Sequence, residues 1–442
     1  MAQSGHRVLS EHPLNSEPPT TSLVSSFLTP TSSIYSRNHG EIRSLPDDYS
    51  LGISSEVEGV STTVSSVPLA DLRALPKHDV VTVLACAGNR RIEMDEEKEV
   101  EGLKWGGSAI ANCHFGGTLL RDLLSKAGVT LDDLRAKGLA EKLHIHFESD
   151  QECEDDKIYA ASLPLDMALD AERPTLLAYE MNHQSLTKPH GAPLRLVVPG
   201  IIGARSVKWL ERIIIRDHES DNFYQKRDYK VLPPEATPET KADFLKQTPA
   251  LITGNREFPL NSEICEPEER AVVDISLPNP SVTIKGYAIG AHGVPIASVH
   301  VALVSLPVTG SPDSATTPSV SVSEVASSEL CKIRLAASNV PFSAWTSAGL
   351  DAGPASSASS SSSAKHAKHW AWTLFTVTLP IPDSLLKVAE LGVGGSGTQV
   401  AAVSYAVDVE GKKQEMQTVW NLRGVAEASW SVRRFGIRKV VS

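Results

Sequence analysis

Beyond residue 262 the chain changes character, and that change constrains its fold more than any other feature. "SVTIKGYAIG" (281–290), "ASVHVALVSLPV" (297–308), "HWAWTLFTVTLP" (369–380), "TQVAAVSYAVDVEG" (398–411) and "RRFGIRKVV" (433–441) are β-type runs separated by Gly, Pro and Ser. Such spacing without helical periodicity predicts an antiparallel sandwich over 263–442. A tract at about 309–368, containing "GPASSASSSSSAKHAK", is too poor in apolar residues to order itself and reads as a disordered insertion between strands. Pro and charge cluster over 233–262, a linker pattern. Residues 26–232 mix signals. "DVVTVLACAG" (79–88) and "APLRLVVPG" (192–200) suit buried strands, and "GTLLRDLLSKAG" (117–128) places leucines on one helical face before a glycine. Residues 1–25 are polar and read as a flexible lead-in. The fold class is α+β: a mixed α/β domain, then an all-β, immunoglobulin-like sandwich.

A 442-residue chain allows roughly two or three domains. Its net charge of −11 argues against a nucleic-acid partner, although a locally basic pocket is compatible with it. Five widely spaced cysteines without a C-x-x-C pair argue against a zinc site or disulfide framework and for a reducing compartment. No apolar run reaches the length of a membrane span, so no membrane association is expected. The N-terminal stretch lacks an apolar signal core, and the terminal "RKVVS" lacks a peroxisomal S-K-L type ending.

Four stretches carry candidate chemistry. Cys86 ends an apolar strand and precedes "GNRR", whose Arg90 and Arg91 favour the thiolate that binds soft metals. Alone, a cysteine at a strand end is more often core filler. "YSRNHGE" (35–41) suits an anion-binding loop, or simply a polar turn. In "YEMNHQSLTKPHGAPLRLVVPGIIGARSVKWL" (179–210), His190, Arg195, Arg205 and Lys208 stand among Gly/Pro turns, which is phosphate-binding material or a set of solvated charges. "YQKRDYK" (224–230) alternates aromatics with cations and could present a tyrosine to an oxyanion, or be ordinary surface.

Taken together with "EGLKW", "AYEMN" and "VWNLRGVAEASW" (419–430), these stretches resemble the eukaryotic sulfite oxidase family in motif order over roughly 26–442. The resemblance implies a molybdopterin-binding catalytic domain over 26–232 and a sandwich that forms a homodimer. Cys86 would ligate molybdenum. Arg37, Arg91 and Arg423 would bind sulfite, with Tyr229 and Trp105 completing the substrate pocket. Tyr35, Arg37, Asn38, His39, Asp150, His190, Arg195, Ser206, Val207 and Lys208 would hold the pterin and its phosphate. The implied reaction is oxygen-atom transfer from the metal centre to sulfite, giving sulfate, with electrons passed to oxygen or another acceptor. The architecture looks like the haem-free plant type, with neither haem nor flavin, placed in the cytoplasm or a peroxisome. Competing readings are a molybdenum enzyme of the same fold acting on nitrate or an S-oxide, and an inactive pterin-binding scaffold. Departures from the family pattern are Glu101, whose carboxylate would repel sulfite unless Lys104 compensates, and the Cys113–His114 pair.

Overall fold

The computed structural model describes residues 5–247, 257–305, 328–353, 366–386 and 398–440. Its strands are β1 (Arg7–Glu11), β2 (Leu14–Glu17), β3 (Ser50–Ser55), β4 (Ser66–Pro68), β5 (His78–Ala85), β6 (Ile110–Leu119), β7 (His144–Ser149), β8 (Tyr159–Pro164), β9 (Leu176–Met181), β10 (Gln184–Ser185), β11 (Arg195–Val197) and β12 (Arg212–Arg216) in the first part of the chain. The second part holds β13 (Asn261–Glu266), β14 (Val272–Ser276), β15 (Ser281–Ile289), β16 (Ile296–Ser305), β17 (Thr346–Ser347), β18 (Gly349–Asp351), β19 (Thr373–Pro380), β20 (Thr398–Asp408) and β21 (Ser431–Val440).

Two sheets build the mixed half. One runs β10-β9-β6-β5 with β11 added on β9; the other runs β4-β3-β12-β7-β8, and its β3–β12 pair is parallel. Val83, Ile110 and Leu177 of the first sheet share a core with Ile53, Phe147 and Ile213 of the second. The apolar runs spotted in the sequence are buried for that reason: both faces of the strand ends meet other elements. In the second half, a β13-β15-β19-β18 sheet packs on a β14-β21-β20-β16-β17 sheet. Ile284 and Phe375 face Val301, Ala402 and Phe435 across the interface. Each of the five β-type runs contains a strand. One pair, β14 with β21, is parallel rather than antiparallel.

Three expectations need correction. Residues 7–24 are ordered: β1 and β2 form a hairpin, Leu14 to Glu17 are buried, and a 3₁₀ turn at Thr20–Val24 buries Leu23. Composition could not show this, because the segment is held by specific polar partners. The buried Glu17 carboxylate accepts from the amide of Gly106 at 3.0 Å and pairs with Arg7 at 2.8 Å. The expected insertion is also partly folded. A helix at Glu329–Ser338 places Leu330, Ile333 and Ala337 against Val304, Ala401, Val403 and Val432; the stretches 309–327 and 354–365 lie outside the described residues. Within the expected linker, a helix at Lys241–Gln247 forms, and Ala236 packs with Leu232 and Leu422.

Among the described residues, no helix is long and apolar enough to cross a membrane. The five cysteines are all free thiols.

Candidate active site

Cys86 is the first residue after β5. Its amide donates to Ala109 across the strand pair at 2.9 Å, and its thiol accepts a 3.5 Å hydrogen bond from the amide of Gly88. The turn that follows separates the two arginines. Arg90 adopts a left-handed conformation (φ 65°), and its side chain runs into the domain interface to Glu93, Asn261 and Glu263. Arg91 alone stays near the thiol. It threads a slot formed by Gly88, Gly102 and Gly424, where an added Cβ would come within 2.6–2.7 Å of its side chain. Among the described residues its guanidinium donates only to carbonyls, Gly424 at 3.2 Å and Leu103 at 2.9 Å.

One cavity gathers ten of the expected residues: Tyr35, Arg37, Asn38, His39, Cys86, His190, Arg195, Ser206, Lys208 and Tyr229. Each arrives on a distinct local device. The Arg37–His39 loop follows a lone bridge between Ser16 and Ser36 and is braced by the N-terminal hairpin, whose Asn15 Oδ1 accepts from Arg37 at 3.2 Å and from the Asn38 amide at 2.9 Å. His190 ends a short 3₁₀ turn, and Gly191 (φ 102°) follows; a Cβ there would press on Lys208 and Arg195. Arg195 lies on β11 and donates to the carbonyls of His190 and Ser206. Tyr229 follows a single π-helical turn at Tyr224–Asp228, a rare geometry that recurs at functional sites.

The remaining expectations fare differently. Asp150 is exposed and bound to Arg212 at 2.5 Å, away from the cavity; its neighbour Gln151, missed in the sequence, lines the cavity instead. Side chains alternate along an extended segment, so a one-residue offset moves a group to the other face. Val207 is buried in the main core and contributes its carbonyl to Leu196. Trp105 is fully buried, edge-on to Tyr35 with ring centroids 6.4 Å apart, rather than on the cavity wall. Arg423 is held by Asp228 at 2.7 Å. Tyr159, also missed, lines the cavity and stacks on His39. Glu101 is balanced by Lys241 at 2.7 Å and not by Lys104, which binds Asp95 and the carbonyl of Val100. Cys113 is fully buried opposite Thr82, and burial pushes its thiol up to about 12, which makes it core rather than a reactive group.

The electrostatics are one-sided. Among the described residues, none of Arg37, Arg91, Arg195 and Lys208 has a carboxylate within salt-bridge distance; their hydrogen-bond partners are carbonyls, amide oxygens and one imidazole. Burial, together with Arg195 and Arg37, pushes the Lys208 ammonium well below its ordinary value. Burial, aided by Lys208 and Arg195, takes His190 down to about 3, and its buried Nε2 has no hydrogen-bond partner among the described residues. Buried cations without counter-charges are costly unless an anion joins them. The cavity, which Arg37, Arg195 and Lys208 line and Arg91 does not, is therefore suited to an anionic group beside a thiol.

A family model described as an oxidoreductase molybdopterin binding domain matches residues 39–224. A sulfite oxidase of Arabidopsis thaliana is 33% identical over 427 residues, covering 96% of this chain and 92% of that protein. A mitochondrial sulfite oxidase of Macaca fascicularis is 34% identical over 428 residues, and the chain spans 64% of its length. Among solved structures, the sulfane dehydrogenase SoxCD of Paracoccus pantotrophus superposes with a TM-score of 0.64 at 20% identity, over 97% of this chain and 87% of that one, which shows a shared fold.

Proposed function

The chain belongs to the sulfite oxidase family of molybdopterin oxidoreductases, and from that premise we propose that it oxidises sulfite to sulfate with a molybdenum cofactor. One observation carries this reading: the Cys86 thiol opens on a cavity whose cations Arg37, Arg195 and Lys208 have, among the described residues, no carboxylate within salt-bridge distance. The donor set fits the group. A soft thiolate suits molybdenum. Arg195, Lys208, the orphaned His190 Nε2 and the glycine-relieved backbone at Gly191 suit a pterin phosphate. When bound, the cofactor supplies the oxygen-atom transfer chemistry.

The protein's own residues supply field and position. Arg37 and Arg91, backed by Tyr229, hold the sulfite oxyanion near Cys86, using donors that would otherwise meet only carbonyls and imidazole. Arg423, whose charge is paired with Asp228, does not line the cavity and would have to leave that partner to join them. We assign oxygen or another electron acceptor and a reducing, intracellular compartment, cytoplasmic or peroxisomal. Free cysteines throughout support the latter.

Purified protein should reduce ferricyanide on addition of sulfite, with about one molybdenum per chain. Full molybdenum without sulfite turnover would overturn the substrate assignment, and absent molybdenum would overturn the cofactor.

We further propose that the sandwich pairs two copies. Leu277 (55% exposed) and Val440 (43% exposed) lie together at the β14–β21 edge, where Ser276 pairs with Val440. Sedimentation should give twice the 47.4 kDa chain mass, and a species of 47.4 kDa alone would refute the dimer.

A further inference from the structure

The Arg37–His39–Tyr229 chain fixes where one proton sits. Arg37 Nη2 lies 3.1 Å from His39 Nδ1, and a guanidinium can only donate, so Nδ1 is the acceptor. Burial, reinforced by Arg37 and Lys208, pushes His39 well below its ordinary value, so the ring is neutral near pH 7. Its single proton is then on Nε2. That atom lies 2.7 Å from Tyr229 Oη and must donate to it. Burial pushes the Tyr229 phenol up, so it keeps its own proton. Among the described residues the Tyr229 hydroxyl has no further hydrogen-bond partner, and it lines the same cavity as Cys86 and Arg37.

We infer that His39 is a positioning residue: by donating to Tyr229 Oη it commits the Tyr229 hydroxyl proton to the cavity, as a donor to the substrate oxyanion. With the opposite tautomer, Tyr229 would spend its proton on His39 and turn lone pairs toward an anion, which would weaken binding. Arg37 thus acts twice, as a cation of the pocket and as the group that selects the tautomer. The inference rests on the oxyanion-binding reading above.

The test uses the full-length holoenzyme, with molybdenum measured in every sample. Histidine-selective ¹⁵N solid-state spectra of the parent, with His39 assigned by its loss in His39→Phe, should show an unprotonated Nδ1 and a protonated Nε2. Calorimetry with sulfate as the probe, and sulfite KM per molybdenum, should each weaken by about tenfold in His39→Phe. Because His39 acts through the hydroxyl, the same change made in Tyr229→Phe should cost almost nothing further. A protonated Nδ1, or losses that simply add in the double variant, would overturn the inference. Should the parent fail to oxidise sulfite, the substrate assignment falls, while the nitrogen spectra and sulfate binding still decide the role of His39.

Discussion

Replacing Cys86 by serine is expected to leave the protein folded and to lower sulfite turnover by roughly 10³-fold or more. The side chain is 7% exposed and makes a single hydrogen bond, from the Gly88 amide, which a hydroxyl can also accept. The strand end around it is fixed by backbone bonds that the change does not touch, among them Cys86 N to Ala109 O and Asn89 N to Cys86 O. The stability cost should therefore be small, about 1 kcal/mol. On the proposed metal role the chemical cost is large, because a serine hydroxyl is a hard donor that stays protonated near neutrality, and it replaces the one sulfur side chain among the described residues that line the cavity. Retained pterin with turnover lost is the expected pattern, read by cofactor fluorescence and the ferricyanide assay on one sample. A serine variant working within about tenfold of the parent would remove Cys86 from the metal site.

Arg90→Met should destabilise the chain by about 3 kcal/mol. Arg90 is fully buried and holds Glu93 at 2.7 and 2.9 Å, Asn261 at 2.6 Å and Glu263 at 3.0 Å, so it bolts the residues after Cys86 to the first strand of the sandwich. The network continues through Arg433, 2.8 Å from Glu263, and Arg334, which reaches Glu93 from the helix at Glu329–Ser338. Although burial pushes the Glu93 carboxyl up, Arg90 and Arg334 together hold it below the usual range. Removing Arg90 leaves both carboxylates one arginine each, which places the loss at the lower end for a broken buried pair. Urea denaturation followed by intrinsic fluorescence should show an earlier midpoint. A shift equivalent to less than about 0.5 kcal/mol would mean that the network does not bear on the junction.

Much of this molecule is written in local patterns. Alternation and β-branched content marked β15, β16, β19, β20 and β21, because a sandwich strand must bury one face whatever its neighbours are. The apolar run ending at Cys86 marked a strand that delivers a side chain to its tip. Ten residues drawn from four separated motifs meet in one cavity.

The tertiary structure decided what depends on direction and on distant partners. In "GNRR" the two arginines are equivalent as letters, yet the left-handed turn at Arg90 sends one to the sandwich and leaves the other beside the thiol. In "SDQE" a one-residue alternation gives the cavity Gln151 and the surface Asp150. The N-terminal hairpin and the helix at Glu329–Ser338 are ordered by groups more than 70 residues away, Glu17 by Gly106 and Arg334 by Glu93. Composition reports whether a segment can bury enough apolar surface by itself; it carries no record of a carboxylate waiting elsewhere in the chain to receive it.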